Sequence, residues 1–234
     1  MHKKHCTITI DGPAGAGKGV VSSLLARRLG FTRLDTGAMY RAVSLHALKQ
    51  GFELSGNIAK KHLEDRLQLL LAGIEIEMDE KRVRLNGEEV SQAIRRPEVG
   101  MAASFISQFA YVRQKLTELQ RKIAQSTDLV AEGRDMGTVV FPDAQCKFFL
   151  TAKPEIRARR RWLQLREQGI EKTLEEVLKE IQERDRADSS REIAPLKMAP
   201  DAILVDSSYM GVEEVVNTMY EHARQRMANF STLS

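Results

Sequence analysis

The run Asp11-Gly12-Pro13-Ala14-Gly15-Ala16-Gly17-Lys18-Gly19 stands between an apolar alternation, Thr7-Ile8-Thr9-Ile10, and a helical pattern in which Val20, Val21, Leu24, Leu25 and Leu29 recur before Gly30. Strand, glycine-rich loop and helix in that order make a phosphate cradle. Its backbone N–H groups wrap a nucleotide's phosphates while a lysine reaches the outer ones. Gly12, Gly17 and Lys18 fill three of the four fixed places of the Gly-x4-Gly-Lys-[Ser/Thr] pattern. The fourth departs: Gly19 stands where a magnesium-holding hydroxyl is usual. A dinucleotide loop fits worse, because Gly-x-Gly-x-x-Gly counted from Gly15 needs a glycine at Val20, and counted from Gly12 needs one at Ala14.

Around this loop the chain has 234 residues, 42% hydrophobic and 29% charged, an ordinary balance for one globular domain with insertions. No run approaches the ~18 apolar residues of a membrane span, and Met1 to Cys6 lacks the apolar stretch of a signal peptide, so a cytoplasmic protein is expected. Cys6 and Cys146 sit far apart, each in an apolar strand-like run, and read as reduced, packed thiols. The net charge of +4 is modest, but Arg157, Arg159, Arg160, Arg161, Arg184, Arg186 and Arg191 crowd one region and point to polyanion handling. An aromatic content of 6% offers little stacking for nucleic-acid bases.

Further along, Thr32-Arg33-Leu34 reads as a second strand leading into a helix at Asp35-Thr36-Gly37-Ala38-Met39-Tyr40-Arg41. Taken alone, Thr36 reads as its cap and Arg41 as a surface charge. Gly51 stops that helix, and Ile58, Leu63, Leu67, Leu70 and Leu71 mark the stripe of the next. The period then changes to two at Ile74, Ile76 and Met78. Asp79-Glu80-Lys81 turns the chain, Val83 and Leu85 alternate back, and Asn86-Gly87 is a hairpin turn into Glu88-Glu89-Val90. Pro97 opens a helix through Ile106, and Val112, Leu116, Leu119 and Ile123 stripe another. Leu129-Val130-Ala131 is a buried-strand pattern ending at Glu132, a carboxylate placed where a magnesium-bound water could be held, or simply a capped loop. Cys146 to Leu150 and Ala202 to Val205 complete five core strands separated by helices, which implies a parallel sheet covered on both faces. Between the last two strands, Pro154 starts a helix ending near Gly169. Thr173 with Glu176 makes a capping box for another, striped by Leu174, Val177, Leu178 and Ile181. If it continues, Arg184, Asp188 and Arg191 lie on that same inward face; a solvated helix laced with ion pairs is the alternative. A last helix starts near Val212, and Phe230 to Ser234 read as a frayed tail.

These residues in this order, from Ile8 to about Arg224, resemble the bacterial cytidylate kinase family of P-loop nucleoside monophosphate kinases. The specific signatures are Leu34-Asp35-Thr36-Gly37-Ala38-Met39-Tyr40-Arg41, Glu132-Gly133-Arg134-Asp135-Met136-Gly137-Thr138-Val139-Val140, Glu183-Arg184-Asp185 and Ala194-Pro195-Leu196. The resemblance implies an α/β fold with a P-loop kinase core on a five-stranded parallel sheet, in one domain. The core would take residues 1–36, 106–152 and 192–234. A monophosphate-binding region would span 37–105, with an antiparallel insertion at about 74–91, and a helical lid 153–191. ATP would meet Gly12, Pro13, Ala14, Gly15, Ala16, Gly17, Lys18, Gly19, Val20 and Arg157. Arg41 and Arg134 would hold the acceptor phosphate, Thr36, Arg184 and Asp188 would lie around the ribose, and Tyr40 would also meet CMP. Ser104, Arg113, Asp135 and Arg191 would read the cytosine edge. Two departures stand out: Val20 replaces a common Thr or Ser, and Ala187 and Ser189 stand where some relatives carry arginines.

The expected reaction is transfer of the γ-phosphoryl group of ATP, with Mg²⁺, to CMP or dCMP by a monomer that needs neither nucleic acid nor membrane. Lys18, Arg161, Arg184 and Arg191 would be catalytic and Glu132 would hold the metal through water. Alternatives are another small-molecule P-loop kinase, such as one for UMP, and a nucleic-acid-binding ATPase or nucleotide switch. None of the four asparagines is followed by Lys, so the Asn-Lys-x-Asp guanine reader is absent.

Overall fold

The computed structural model describes residues 5–53, 60–79 and 82–231. They divide into two compact units, one built from residues up to 33 and from 126 onward, the other from 34–125.

In the first unit β1 (Thr7–Asp11) lies between β6 (Leu129–Gly133) and β7 (Cys146–Thr151), parallel to both, and β7 pairs in parallel with β8 (Ile203–Asp206). With β2 (Thr32–Asp35) the order is β2-β6-β1-β7-β8. Every residue of β1 and of β6 is buried, which explains the continuous apolar run at Leu129-Val130-Ala131; the alternation of Thr and Ile in β1 marks no solvent face. Ile8, Ile10, Val130, Phe148 and Leu150 meet Leu25 of α1 (Lys18–Leu29) and Val216 and Met219 of α8 (Val212–Ser231) in one core. Gly30, at φ 70°, ends α1 in the left-handed cap that glycine favours. The last helix reaches Ser231, so the expected fray at Phe230 is replaced there by a continued helix; residues 232–234 lie outside the described residues.

Also in this unit, α6 (Pro154–Glu167) and α7 (Leu174–Ser190) pack around a small core of Ala158, Leu165, Val177 and Ile181, with Trp162, Ile170 and Leu178 at its edge. The expected capping box is present: Thr173 Oγ1 accepts from the Glu176 N–H at 3.2 Å and Glu176 Oε2 accepts from the Thr173 N–H at 2.7 Å. Leu174 corrects the expected stripe, being 45% exposed; the inward face begins at Val177, one turn in, and runs through Ile181 to a buried Asp188.

The second unit packs α2 (Thr36–Lys49) with α4 (Pro97–Ile106) and α5 (Ala110–Ala124), and α5 with α3 (Lys60–Ala72). Its antiparallel sheet is β3 (Ile76–Met78), β4 (Val83–Leu85) and β5 (Glu88–Glu89). Asn86 and Gly87 have φ of 50° and 80°, the two positive values of the hairpin turn expected there. Asp35, not Thr36, caps α2: its carboxylate accepts from the Ala38 N–H at 2.9 Å, while Thr36 is the first helical residue and is buried. Ile58 and the Glu80-Lys81 part of the expected turn lie outside the described residues.

Candidate active site

The phosphate loop runs from Gly12 to Gly17, between the end of β1 and α1. At Gly12 the backbone has φ 152°, and a Cβ there would lie 2.0 Å from the Leu150 carbonyl oxygen, so the strand-to-loop turn admits glycine alone. Gly17, at φ 90°, sits at the N-cap of α1 and brings the first turn's unpaired N–H groups to the loop. Lys18 is buried and donates from Nζ to the Gly12 and Pro13 carbonyls, each at 2.7 Å. Burial lowers its pKa well below the usual lysine value, and the nearby Arg134 and Arg184 charges add to that, opposed by Glu132 and Asp188.

Behind the loop, Arg157 is buried and has no face left for solvent. Its Nη1 donates to the Ala14 carbonyl at 2.9 Å and pairs with Asp185 at 2.7 Å, and its Nε donates to the Ala152 carbonyl at 2.8 Å. It braces the loop backbone on α6 and α7. Arg161 lies half-buried one turn further along α6, and Val20 projects at 51% exposure from the first turn of α1.

Beside Gly19 lies a network that the sequence reading missed. Glu132 Oε1 accepts from Ser22 Oγ at 3.0 Å and from Arg33 Nε at 3.1 Å, with Arg33 Nη2 closing the ion pair. Arg33 Nε also reaches Ser22 Oγ at 2.9 Å. A Cβ at Gly19 would be 3.7 Å and 3.9 Å from the two Glu132 oxygens, so this carboxylate sits against the first turn of the loop helix. Glu132 is not the strand's last residue, as expected, but lies inside β6, which continues through Gly133. The available signal was spacing: Ser22 follows Lys18 by four residues, on one face of α1.

Asp11, at the end of β1, was also missed. It accepts from the backbone N–H groups of Met136 at 2.8 Å and Gly137 at 2.7 Å, and burial pushes its carboxyl up to about 6 despite those two bonds. Those amides open a π-type turn, Met136–Val140, directly after Arg134 and Asp135.

The residues that lead into that turn belong to an arginine and carboxylate cluster. Arg134 Nε donates to Asp188 Oδ2 at 2.7 Å, and Arg191 lies 3.9 Å from Asp135 and 3.8 Å from Asp188. Burial would raise the Asp188 pKa, but Arg134, Arg184 and Arg191 outweigh it and hold the carboxyl below the usual range. Arg191 ends α7 in extended backbone and donates from Nε to the Ala194 carbonyl at 2.7 Å, and the Leu196 N–H donates to the Asp188 carbonyl at 2.8 Å. The Ala194-Pro195-Leu196 signature thus ties down the end of α7, with Ala194 in a left-handed conformation at φ 49°. So Arg134, Asp135, Asp188 and Arg191 come together as a set, and Arg134, Arg184, Asp188 and Glu132 all act on Lys18.

In the second unit, Thr36, Tyr40 and Arg41 occupy the first turns of α2. Arg113, buried on α5, places its guanidinium 5.6 Å from the Tyr40 ring centroid and donates to the Ser107 carbonyl at 3.2 Å. Ser107 Oγ in turn donates to the carbonyl of Ser104 at 2.8 Å. Asp35 pairs with Arg95 at 3.2 Å. Tyr40, Arg113, Ser107 and Ser104 therefore form one contiguous polar group. Ser107 escaped notice because a helix-ending serine carries no motif.

Among the described residues no group of three or more His, Cys, Asp or Glu could hold a metal ion, and no helix is long and apolar enough to cross a membrane. Residues 8–225 match the sequence profile of the cytidylate kinase family. The chain belongs to that family. The cytidylate kinase of Fervidobacterium nodosum is 46% identical over 222 residues, covering 95% of this chain and 98% of the relative. That of Caldanaerobacter subterraneus subsp. tengcongensis is 48% identical over 218 residues, covering 93% and 94%. Among solved structures, an uncharacterized protein from Eubacterium ventriosum shares the fold, with a TM-score of 0.52 at 11% identity over 94% of this chain and 99% of that one. The match to cytidylate kinases spans both units, so the arginine and carboxylate set around Arg134 and the polar group around Tyr40 both fall within it.

Proposed function

We propose that this protein transfers the γ-phosphoryl group of ATP to CMP or dCMP, giving ADP and the pyrimidine diphosphate, as a cytoplasmic monomer acting without nucleic acid. The observation that carries this reading is the placement, in one unit, of a buried Lys18 amine within the field of Arg134, Arg184, Asp188 and Glu132. A cationic cradle for one phosphate chain and an arginine set for a second anion then share a single electrostatic environment. An acceptor phosphate is already an anionic oxygen nucleophile, its second pKa being about 6, so no general base is required. What remains is positioning and neutralisation of the in-flight phosphoryl group.

Lys18, freed from the Gly12 and Pro13 carbonyls, takes the outer donor phosphates, and the N–H groups of Gly12 and of Ala14 to Val20 wrap the chain, with Pro13, which has no N–H, shaping the turn between them. Arg157 serves by holding Ala14. Arg161, Arg184 and Arg191 supply the cations of the transition state. Arg134 and Arg41 hold the acceptor phosphate, with Thr36, Tyr40, Arg184 and Asp188 at its sugar. Asp135 accepts from the 4-amino group of cytosine and repels the carbonyl that uracil presents there, with Arg113, Ser104 and Arg191 on the remaining edge; a buried polar reader of this kind can discriminate by ~10⁴. Magnesium fits as a companion of the nucleotide phosphates. Glu132 lies beside Gly19 and would hold it through water, while Ser22 and Arg33 keep that carboxylate oriented. Bound there, the ion would neutralise charge on the β- and γ-oxygens. The 153–191 helices act as a lid that excludes water, and region 37–105 serves the monophosphate.

The test is a steady-state comparison of CMP, dCMP, UMP and AMP with ATP and Mg²⁺, repeated for Asp135→Asn. CMP and dCMP should lead by orders of magnitude and the variant should narrow their margin over UMP. UMP as the preferred acceptor of the unaltered protein would refute the role of Asp135.

A further inference from the structure

The residue that begins the phosphate loop also holds the turn that follows Arg134 and Asp135. Asp11 is 3% exposed and directly precedes Gly12. Its two oxygens are used separately: Oδ1 takes the Met136 N–H at 2.8 Å and Oδ2 takes the Gly137 N–H at 2.7 Å. The turn they open receives no hydrogen bond from the side chain at its own N-cap, which is Asp135. Asp11 thus does the capping from another strand, and the Asp135 carboxylate is left pointing to Arg191, 3.9 Å away. The turn is also packed closely on β1 and β7: a Cβ at Gly137 would lie 3.0 Å from Thr9 Oγ1, 3.1 Å from Lys147 Cδ and 3.4 Å from Asp11 Oδ2. One carboxylate, flush against two consecutive amides, therefore sets both the height and the tilt of the backbone that carries Arg134 and Asp135.

We propose that Asp11 is a positioning residue of the acceptor site: without touching either substrate, it locks the Arg134 and Asp135 backbone to the strand that launches the phosphate loop. This rests on the function proposed above. The chemistry of the contact makes it specific. A carboxylate offers two acceptors, whereas an amide of the same shape offers one acceptor and one donor, so an asparagine must turn an N–H toward an N–H. A displacement of reacting groups by about 1 Å is enough to lower turnover ~100-fold.

Asp11→Asn is the primary variant. The KM for CMP is expected to rise about tenfold or more and the CMP-over-UMP ratio to fall by a similar factor, with the KM for ATP within about twofold. Amide hydrogen exchange at Met136 and Gly137 should quicken. Gly137→Ala displaces the same turn with the carboxylate intact, chiefly through Thr9 and Lys147, and should give the same signature; it carries the test if Asp11→Asn does not fold. If both variants keep the CMP constant and the CMP-over-UMP ratio of the parent, the proposal is wrong. It is equally wrong if both substrate constants rise by one common factor, which is what a general support of the fold would do. A parent protein inactive on CMP would overturn the function reading and this inference with it, whereas an active parent with unaltered variants overturns the inference alone.

Discussion

Replacing Gly12 by alanine tests the phosphate loop at its most constrained point. The added Cβ would sit 2.0 Å from the Leu150 carbonyl oxygen and 3.0 Å from its carbon. Ordinary contact between such atoms needs more than 3 Å, so the loop's first residue or β7 must give way by roughly 1 Å in an interior packed to crystal-like density. The backbone, at φ 152°, is in addition a conformation that a residue with a Cβ avoids, at about 1 to 3 kcal/mol. Overpacking of this kind adds about 1 to 3 kcal/mol. The sum, about 2 to 6 kcal/mol, should appear as a lower urea midpoint at an unchanged slope. Because Gly12 also supplies one of the carbonyls that hold Lys18, the same shift should lower kcat/KM for ATP about 100-fold. Gly17→Ala is the internal control: nothing lies within 4 Å of its Cβ, so only the strain of φ 90° remains, about 1 to 2 kcal/mol. Equal losses at the two positions, or a Gly12→Ala protein with the parent's midpoint and ATP constant, would refute the reasoning.

Lys18→Met should lower kcat by the equivalent of ~3 to 4 kcal/mol of transition-state stabilisation, yet raise Tm by a few degrees. The charged amine is held in the fold against its burial, as its lowered pKa records, and methionine removes that cost; a falling Tm in differential scanning calorimetry would contradict this. Asp11 makes the pH dependence distinctive. Its folded-state pKa of about 6 lies above the unfolded value, so its contribution is fully present below the unfolded pKa and is lost as pH rises through 6. Urea midpoints measured from pH 4 to 8 should show the parent losing stability relative to Asp11→Asn, whose amide does not titrate, as pH rises through about 6; a relative gain would contradict this. Arg157→Ala leaves Asp185 and two carbonyls without their partner, and should destabilise by ~2 to 4 kcal/mol and weaken ATP binding, readable by denaturation and nucleotide titration. Neither cysteine should react with iodoacetamide at pH 8 in the native state, since burial pushes Cys6 up to about 11 and Cys146 up to about 12; rapid labelling of either would show that its packing is wrong.

What the sequence determined by itself was whatever repeats at short range. The period of two from Ile74 to Leu85, the positive-φ turn at Asn86-Gly87, the capping box at Thr173 and Glu176 and the fixed spacing of Gly12, Gly17 and Lys18 are local patterns whose physical causes lie within a few residues. The same locality put Arg184 and Asp188 on one helix face, and the buried Asp188 lies where that spacing places it, whereas the helix stops at Ser190 and Arg191 follows it in extended backbone. Only the tertiary structure decided which distant residues complete them. Arg33 and Ser22 meet Glu132, and Asp11 meets Met136 and Gly137, because β1 pairs with β6 in parallel register, Asp11 opposite Gly133. Such partners stand more than a hundred residues apart or across a crossover, and no helical or strand period links them. Thr36 and Asp35 show the same limit at close quarters: both are good caps by residue type, and strand β2, by ending at Asp35, settles which of them faces the free amides of α2.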